Sequence, residues 1–488
     1  MHVHLVGVSG TGMGSLAILL REAGHDVSGS DVAFDPPIGP ELEAAGVKCL
    51  RGWDAKNLEP RPDLVVVGNV IRRDNAEAVA AESMSLSRTS MSRALRDQFL
   101  VGRKPLIVAG THGKTTTATM CAHVLRAADR DPGWFIGGVP RGLPAGAAIG
   151  STKRKVLAGS APASPFVIEG DEYDDVYWSK RPKFLDYVGV GPDDVAIVTS
   201  VELDHIDVYA NEEAYEAAFR AFVRAVPERG LVVVDARAAR ARAIALEEAK
   251  ARVVFYGLDG DDTGDVTPTW SGAMAANDAN GNAQFDLFAG GVSCGRYALR
   301  VPGAHNVRNA IATIAACAEG FGVDVRGTRS ALATFEGVKR RQELLGEPGG
   351  VYVYDDFAHH PTAVDETLRA LRGRHPKGAL WAIFEPRSAT ACRALHQREY
   401  ARAFEAADHV IFAPLGRANI PEGERLDLAK LAHELGERKA SLASGVDEIL
   451  ERVTREARSG DTVAILSNGT FGDLHARLVA SLAARGAP

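Results

Sequence analysis

The stretch VAGTHGKTTT, residues 108–117, decides how this chain is read. It joins an apolar run, PLIVAG (105–110), to a helical pattern, TTTATMCAHVLRAA (115–128). A strand that turns through glycines into a helix presents backbone N–H groups and a partial positive charge, which is what a phosphate requires. Lys114 can reach the outer phosphates as a point charge, and Thr115 can offer its hydroxyl to Mg²⁺. The usual pattern, G-x-x-x-x-G-K-[ST], has glycine where this chain has Val108. Val108 is expected to end the strand and Gly110 to take over the turn, giving a shorter loop, Gly110 to Thr116. The competing reading is a glycine-rich turn with an exposed lysine.

The same alternation of apolar run, polar turn and amphipathic helix extends in both directions. Upstream, VHLVGV (3–8), DVSGSD (26–31) and PDLVVVGN (62–69) read as strands, with the helix GSLAILLREAG after the first. Downstream, PFVIE (165–169), DVAIVTS (194–200), GLVVVDA (230–236) and RVVFYG (252–257) continue the pattern. Residues 259–303 are rich in Gly, Asp, Asn and Thr with short alternating runs, and predict a small antiparallel β appendage. After the helix NVRNAIATIAACAEG, four more strands follow: VYVYDD (351–356), ALWAIFE (379–385), HVIFAP (409–414) and TVAILS (462–467). The expected class is α/β with parallel sheets, in three consecutive domains of residues 1–103, 104–337 and 338–488. Unusual polar residues fall at the carboxyl ends of strands in all three, the edge where open α/β sheets bind ligands. A composite cleft is expected.

Two further glycine and acid patterns stand out. GVSGTGMG (7–14) follows a strand and opens a helix, and Asp31 ends the next strand, where an acid meets a ribose in dinucleotide folds. A diphosphate is the expected ligand; NAD and other nucleotides both remain open. EGDEYDD (169–175) and VELDHIDVY (201–209) supply hard oxygen ligands suited to Mg²⁺, or simply solvated loop acids. DDFAHHP (355–361) could orient an amine or a phosphate. His2 and His4 share a strand face without an evident third ligand and are read as structural.

Composition sets the exclusions. The net charge is −7 and no long basic block occurs, which argues against nucleic acid and anionic membrane as partners. Five scattered cysteines without C-x-x-C spacing fit a reducing cytoplasm. Neither a leader nor an apolar run of about 18 residues is found.

Taken in order, GVSGTGMG with SGSD, GTHGKTTT, DEYD, ELDHID, GAHNVRNA, RRQEL and YDDFAHHPTA resemble the motifs of the Mur ligase family, the ATP-dependent amide-forming enzymes of peptidoglycan assembly. The resemblance implies a Rossmann-like N-terminal domain holding a UDP-sugar, a central P-loop domain holding ATP and Mg²⁺, and a Rossmann-like C-terminal domain receiving an amine. It implies phosphate binding by Gly110, Thr111, His112, Gly113, Lys114, Thr115 and Thr116. Thr115 and Glu169 resemble magnesium ligands, and His205 the histidine at a second magnesium. His305, Asn306 and Asn309 match the adenine-side segment, and Arg341 an arginine reaching the nucleotide. Ser9, Gly10, Thr11, Gly12, Asp31 and Asn69 match the UDP-sugar site. Asp356 and His359 lie where the family holds reacting groups or the ribose, and both are candidate bases.

Within the family, VVGNVIRRDN, FIGGVP, EPRSAT and SNGTFG favour members that attach L-alanyl-γ-D-glutamyl-meso-diaminopimelate to UDP-N-acetylmuramate over members that add L-alanine. Glu385, Arg387, Ser467 and Asn468 are then expected at the amine substrate. Two departures from the family pattern are Ser200, where Asn is frequent, and the absence of a lysine in the stretch after His205. A cytoplasmic monomer or homodimer is expected. An NAD-dependent oxidoreductase and a P-loop scaffold are the rivals: the first leaves the phosphate loop idle, the second predicts no turnover.

Overall fold

A computed structural model describes residues 1–151 and 163–485. The chain forms two compact units that do not follow chain order: Met1–Glu202 with Glu213–Ser271 and Ala310–Ala331, and Leu203–Glu212 with Gly272–Asn309 and Leu332–Pro488.

Among the described residues the first unit carries two large sheets and a small antiparallel pair, Asp174–Val176 with Ser179–Pro182. The N-terminal one has five parallel strands in the spatial order Lys48–Arg51, Asp26–Asp31, His2–Val6, Leu64–Val67, Arg88–Ser90. Three of these match apolar runs in the sequence. The two edges, KCLR and RTS, are short and polar and carry no such signal. The strand order reverses at His2–Val6, so the glycine turn after that strand sits at the switch point. The helix Thr11–Glu22 follows directly and buries Leu16, Leu19 and Leu20.

In the second sheet of this unit, Arg252–Leu258, Leu231–Asp235, Val195–Val198, Lys104–Ala109, Pro165–Glu169 and Gly133–Phe135 run parallel. The register pairs Val108 with Glu169 and with Ile197, so Val108 is an interior strand residue. Strand VAIV, with all four residues buried, shows why these runs are uninterruptedly apolar: both faces of the strand are covered. The phosphate-loop helix is Lys114–Ala127. Its start is rich in threonine, a modest helix former. Thr115, Thr116, Thr117 and Thr119 are all buried, and the Thr119 hydroxyl donates back to the Thr115 carbonyl. Tertiary packing holds this helix, not propensity.

The second unit contains a six-stranded sheet ordered Glu343–Gly346, Tyr352–Asp356, Thr462–Leu466, Leu380–Phe384, His409–Phe412, Ala440–Leu442. Only the first pair is antiparallel. Side chains alternate between two cores, one built on Phe384, Phe404 and Phe412, the other on Trp381, Ile383 and Ile465. The expected β appendage is present as the antiparallel hairpin Ala283–Ala289 and Val292–Leu299, with Phe285, Leu287, Tyr297 and Leu299 inward. Among the described residues no helix is long and apolar enough to cross a membrane.

Candidate functional site

The phosphate loop is built by two left-handed glycines. Gly110 has φ +131°, and a Cβ there would lie 2.1 Å from Thr199 Oγ1. Gly113 has φ +77° and caps the helix without any side-chain hydrogen bond, so the first-turn N–H groups are left for a ligand. The neighbouring strand end braces the loop. Thr111 N–H donates to the Ser200 carbonyl (3.0 Å), and His112 N–H donates to the Ser200 hydroxyl (3.1 Å). The Thr111 hydroxyl accepts from Glu202 N–H (2.8 Å), and the His112 ring lies 3.3 Å from a Glu202 carboxylate oxygen. Ser200 therefore shapes the loop through its own hydroxyl.

Lys114 Nζ donates to the carbonyls of Gly110 (2.6 Å) and Thr111 (3.2 Å) and to Glu172 Oε1 (2.9 Å). Burial pulls its pKa down, but the facing Glu172 carboxylate, with Glu169 and Asp171, outweighs burial and raises it. Glu172 is fully buried and also accepts from the Tyr215 hydroxyl (3.3 Å). Thr115 Oγ1 donates to Glu169 Oε1 (2.7 Å), and Glu169 Oε2 accepts from Gly137 N–H (2.7 Å). A hydroxyl and a carboxylate oxygen side by side form a hard donor set that fits Mg²⁺. The third sequence candidate for metal, His205, belongs to the other compact unit. It sits in left-handed backbone, φ +54°, with its N–H donating to Asp204 Oδ1 (2.7 Å).

In the N-terminal sheet, Ser9 N–H donates to Asp31 Oδ2 (2.9 Å) and the Ser9 hydroxyl to the Ala33 carbonyl (2.5 Å). Asp31 thus ties the glycine turn to the adjacent strand end. Gly10, Thr11 and Asn69 are exposed at that edge. His4 is structural: it is fully buried, 2.8 Å from the Ser28 hydroxyl and 3.1 Å from Glu77. Glu77, which no motif singles out, also receives the Ser30 hydroxyl and the Asn57 amide.

In the second unit, Asp356 is buried and accepts from Gln342 N–H and Ala358 N–H, each at 2.7 Å. Burial raises its pKa against the opposing pull of Arg341. Arg341 lies over the Phe357 ring at 5.0 Å. His359 Nδ1 is 3.0 Å from the Phe357 carbonyl, so it carries the proton, and Nε2 faces Asp204 Oδ2 at 3.6 Å. Burial acts to raise Asp204, yet the histidines His359, His205 and His360 hold it well below the usual carboxylate range. His305, Asn306 and Asn309 open the helix Ala304–Ala315, with the Asn309 amide 3.4 Å from Asn306 Oδ1.

The remaining candidates cluster at the carboxyl ends of adjacent strands. The Ser467 hydroxyl donates to Glu385 Oε2 (2.5 Å), and Arg387 lies 3.6 Å from Glu385 Oε1 with its side chain 46% exposed. Gly469 leaves room for Arg387: a Cβ there would be 2.4 Å from its Cδ. Asn468 Oδ1 is buried with no hydrogen-bond partner among the described residues. Arg340 braces this edge, donating to the carbonyls of Ser467 and Gly469, both at 2.7 Å.

Three family models match in order: Mur ligase family, catalytic domain, over residues 2–100; Mur ligase middle domain over 179–317; and Mur ligase, glutamate ligase domain, over 340–469. A UDP-N-acetylmuramate–L-alanyl-γ-D-glutamyl-meso-2,6-diaminoheptandioate ligase of Escherichia coli K12 is 35% identical, with 99% of this chain and 98% of that protein aligned. The chain belongs to the Mur ligase family. Its α/β architecture with several parallel sheets matches that of solved Mur ligases. A murein peptide ligase of Psychrobacter arcticus superposes with a TM-score of 0.70 at 34% identity, covering 99% of each chain. A UDP-N-acetylmuramate–L-alanine ligase of Chloroflexus aggregans is 34% identical over 99% of this chain and 98% of that one.

Proposed function

We propose that this Mur ligase uses ATP and Mg²⁺ to join the amine of L-alanyl-γ-D-glutamyl-meso-diaminopimelate to the carboxylate of UDP-N-acetylmuramate. Residues 1–103 take the UDP-sugar, 104–337 the ATP, and 338–488 the peptide. A carboxylate is a poor electrophile in water; bound ATP supplies the phosphoryl group that makes it reactive. Gly110 to Thr116 cradle phosphate oxygens with backbone N–H groups. Lys114 opposes the charge on the transferring group, where a fixed cation acts most strongly. Thr115 and Glu169 hold Mg²⁺ through their adjacent oxygens.

The attacking amine has a pKa near about 7.8 and is largely protonated at neutral pH. His359 is the base in this reading, and the Asp204 carboxylate 3.6 Å from Nε2 stabilises its protonated ring. Asp356 positions the loop through its two backbone bonds. The exposed guanidinium of Arg387 suits a peptide carboxylate, and Asn468 Oδ1 suits a peptide N–H.

The observation that carries the ligase reading is the two-glycine loop that ends in Lys114, with the Thr115 hydroxyl donating to Glu169 Oε1 at 2.7 Å beside it. The tripeptide rests on the full-length likeness to the Escherichia coli enzyme. The test is phosphate release from ATP, Mg²⁺ and UDP-N-acetylmuramate with either amine. The tripeptide should give at least tenfold higher kcat/KM than L-alanine. A preference for L-alanine assigns the other reaction, and no phosphate with either overturns the ligase reading.

A further inference from the structure

Gln342 lies in the stretch RRQEL but belongs to none of the ligand sets that stretch implies. In the structure it is 9% exposed and adopts φ +50°, in a segment where Arg340 is also left-handed at φ +59°. A side-chain-bearing residue keeps that conformation only where its surroundings over-determine it. Three contacts do so here. Its N–H donates to Asp356 Oδ2 (2.7 Å). Its amide nitrogen lies 3.0 Å from His305 Nε2, and its amide oxygen lies 3.4 Å from Asn306 Nδ2.

The orientation of this amide is forced by its neighbours. Asn306 Nδ2 donates to the Pro302 carbonyl at 2.7 Å, so it is a donor. Turning the Gln342 amide over would set two N–H₂ groups against each other. Gln342 Nε2 is therefore the donor to His305, and His305 Nε2 the acceptor, which leaves the ring proton on Nδ1. The other side of the ring is also confined: a Cβ on Gly303 would come 2.8 Å from His305 Cε1 and 2.9 Å from Nδ1.

We propose that Gln342 is a positioning residue for the base end of the nucleotide. One amide fixes the tautomer and orientation of His305, anchors Asn306, and ties both to the Asp356 loop through its own backbone. This rests on the reading of His305 and Asn306 as the adenine-side segment. It predicts that Gln342 acts on nucleotide affinity and not on the other two substrates.

The test uses the full chain with Gln342→Leu and Gln342→Gly. Glycine adopts φ +50° without strain and keeps the N–H to Asp356, so it removes the amide alone. Both variants should raise KM for ATP about tenfold while KM for UDP-N-acetylmuramate and for the peptide stays within about twofold. Nitrogen-15 NMR of the histidine rings should show His305 as the Nδ1–H tautomer in the parent and a mixture in both variants. A purely structural role would lower thermal stability and kcat and leave KM for ATP and the tautomer unmoved. An unchanged KM for ATP in Gln342→Gly, or a parent His305 with its proton on Nε2, overturns the proposal. If the parent releases no phosphate from ATP, the ligase reading falls instead, and the NMR arm still judges the geometry.

Discussion

Removing the phosphate-loop lysine should damage the protein in two separable ways. Lys114 Nζ and Glu172 Oε1 are 2.9 Å apart, with side-chain exposures of 14% and 0%. Lys114→Met keeps the aliphatic shaft but strands a fully buried carboxylate. Breaking a buried pair from one side costs about 3–5 kcal/mol. In a large domain that amounts to roughly 6 °C or more in the melting midpoint. Adding Glu172→Gln removes the stranded charge and keeps an acceptor for the Tyr215 hydroxyl. What remains is the loss of the Nζ bonds to the Gly110 and Thr111 carbonyls, about 1–2 kcal/mol. The double variant should therefore melt clearly above Lys114→Met, within about 6 °C of the parent.

Turnover should not follow stability. A fixed cation on a transferring phosphoryl group contributes about 10²–10³-fold, roughly 3–4 kcal/mol. The single and the double variant should lose that factor equally in the phosphate-release assay. Glu172→Gln alone leaves Lys114 its bonds to the Gly110 and Thr111 carbonyls. It also removes the carboxylate that raises the lysine against burial, so the alkaline limb of its rate profile should move to lower pH. An unchanged midpoint in Lys114→Met would show that Glu172 does not depend on the lysine. Restored turnover in the double variant would show that Lys114 does not act on the phosphoryl group.

Glu77 is an acid held below its ordinary 4.5: burial pushes it up, but bonds from His4, Ser30 and Asn57 prevail. Its contribution is fully present above about pH 4.5 and lost as pH falls through the folded value. Glu77→Gln should cost about 1.5–3 kcal/mol at pH 7 and flatten the acid limb of a stability–pH curve; a parallel curve merely offset from the parent would refute this. Arg387→Met should raise KM for the tripeptide about tenfold, the loss of one charge-assisted contact, with KM for ATP unchanged; an unchanged peptide KM would remove Arg387 from the site.

What the sequence made legible was what local backbone geometry selects. VHLVGV, PFVIE and TVAILS stand out because a strand buried on both faces is a short apolar run between turn residues. Gly110, Gly113 and Lys114 stand out because a tight anion-binding turn admits few residue types. KCLR and RTS were silent because sheet edges tolerate polar side chains. The harder losses are pairings across long chain separations. His4 meets Glu77 from 73 residues away, and Lys114 meets Glu172 from 58. VELDHIDVY (201–209) follows a strand of the expected central domain, yet Leu203–Glu212 packs within the other compact unit, which places Asp204 beside His359. Gln342 is the extreme case. A neutral amide is permitted almost anywhere in a sequence, and it becomes informative only when its donor and acceptor are each assigned by a neighbour. Residues chosen for backbone shape are thus read from sequence, whereas residues chosen for hydrogen-bond polarity are read only from the fold.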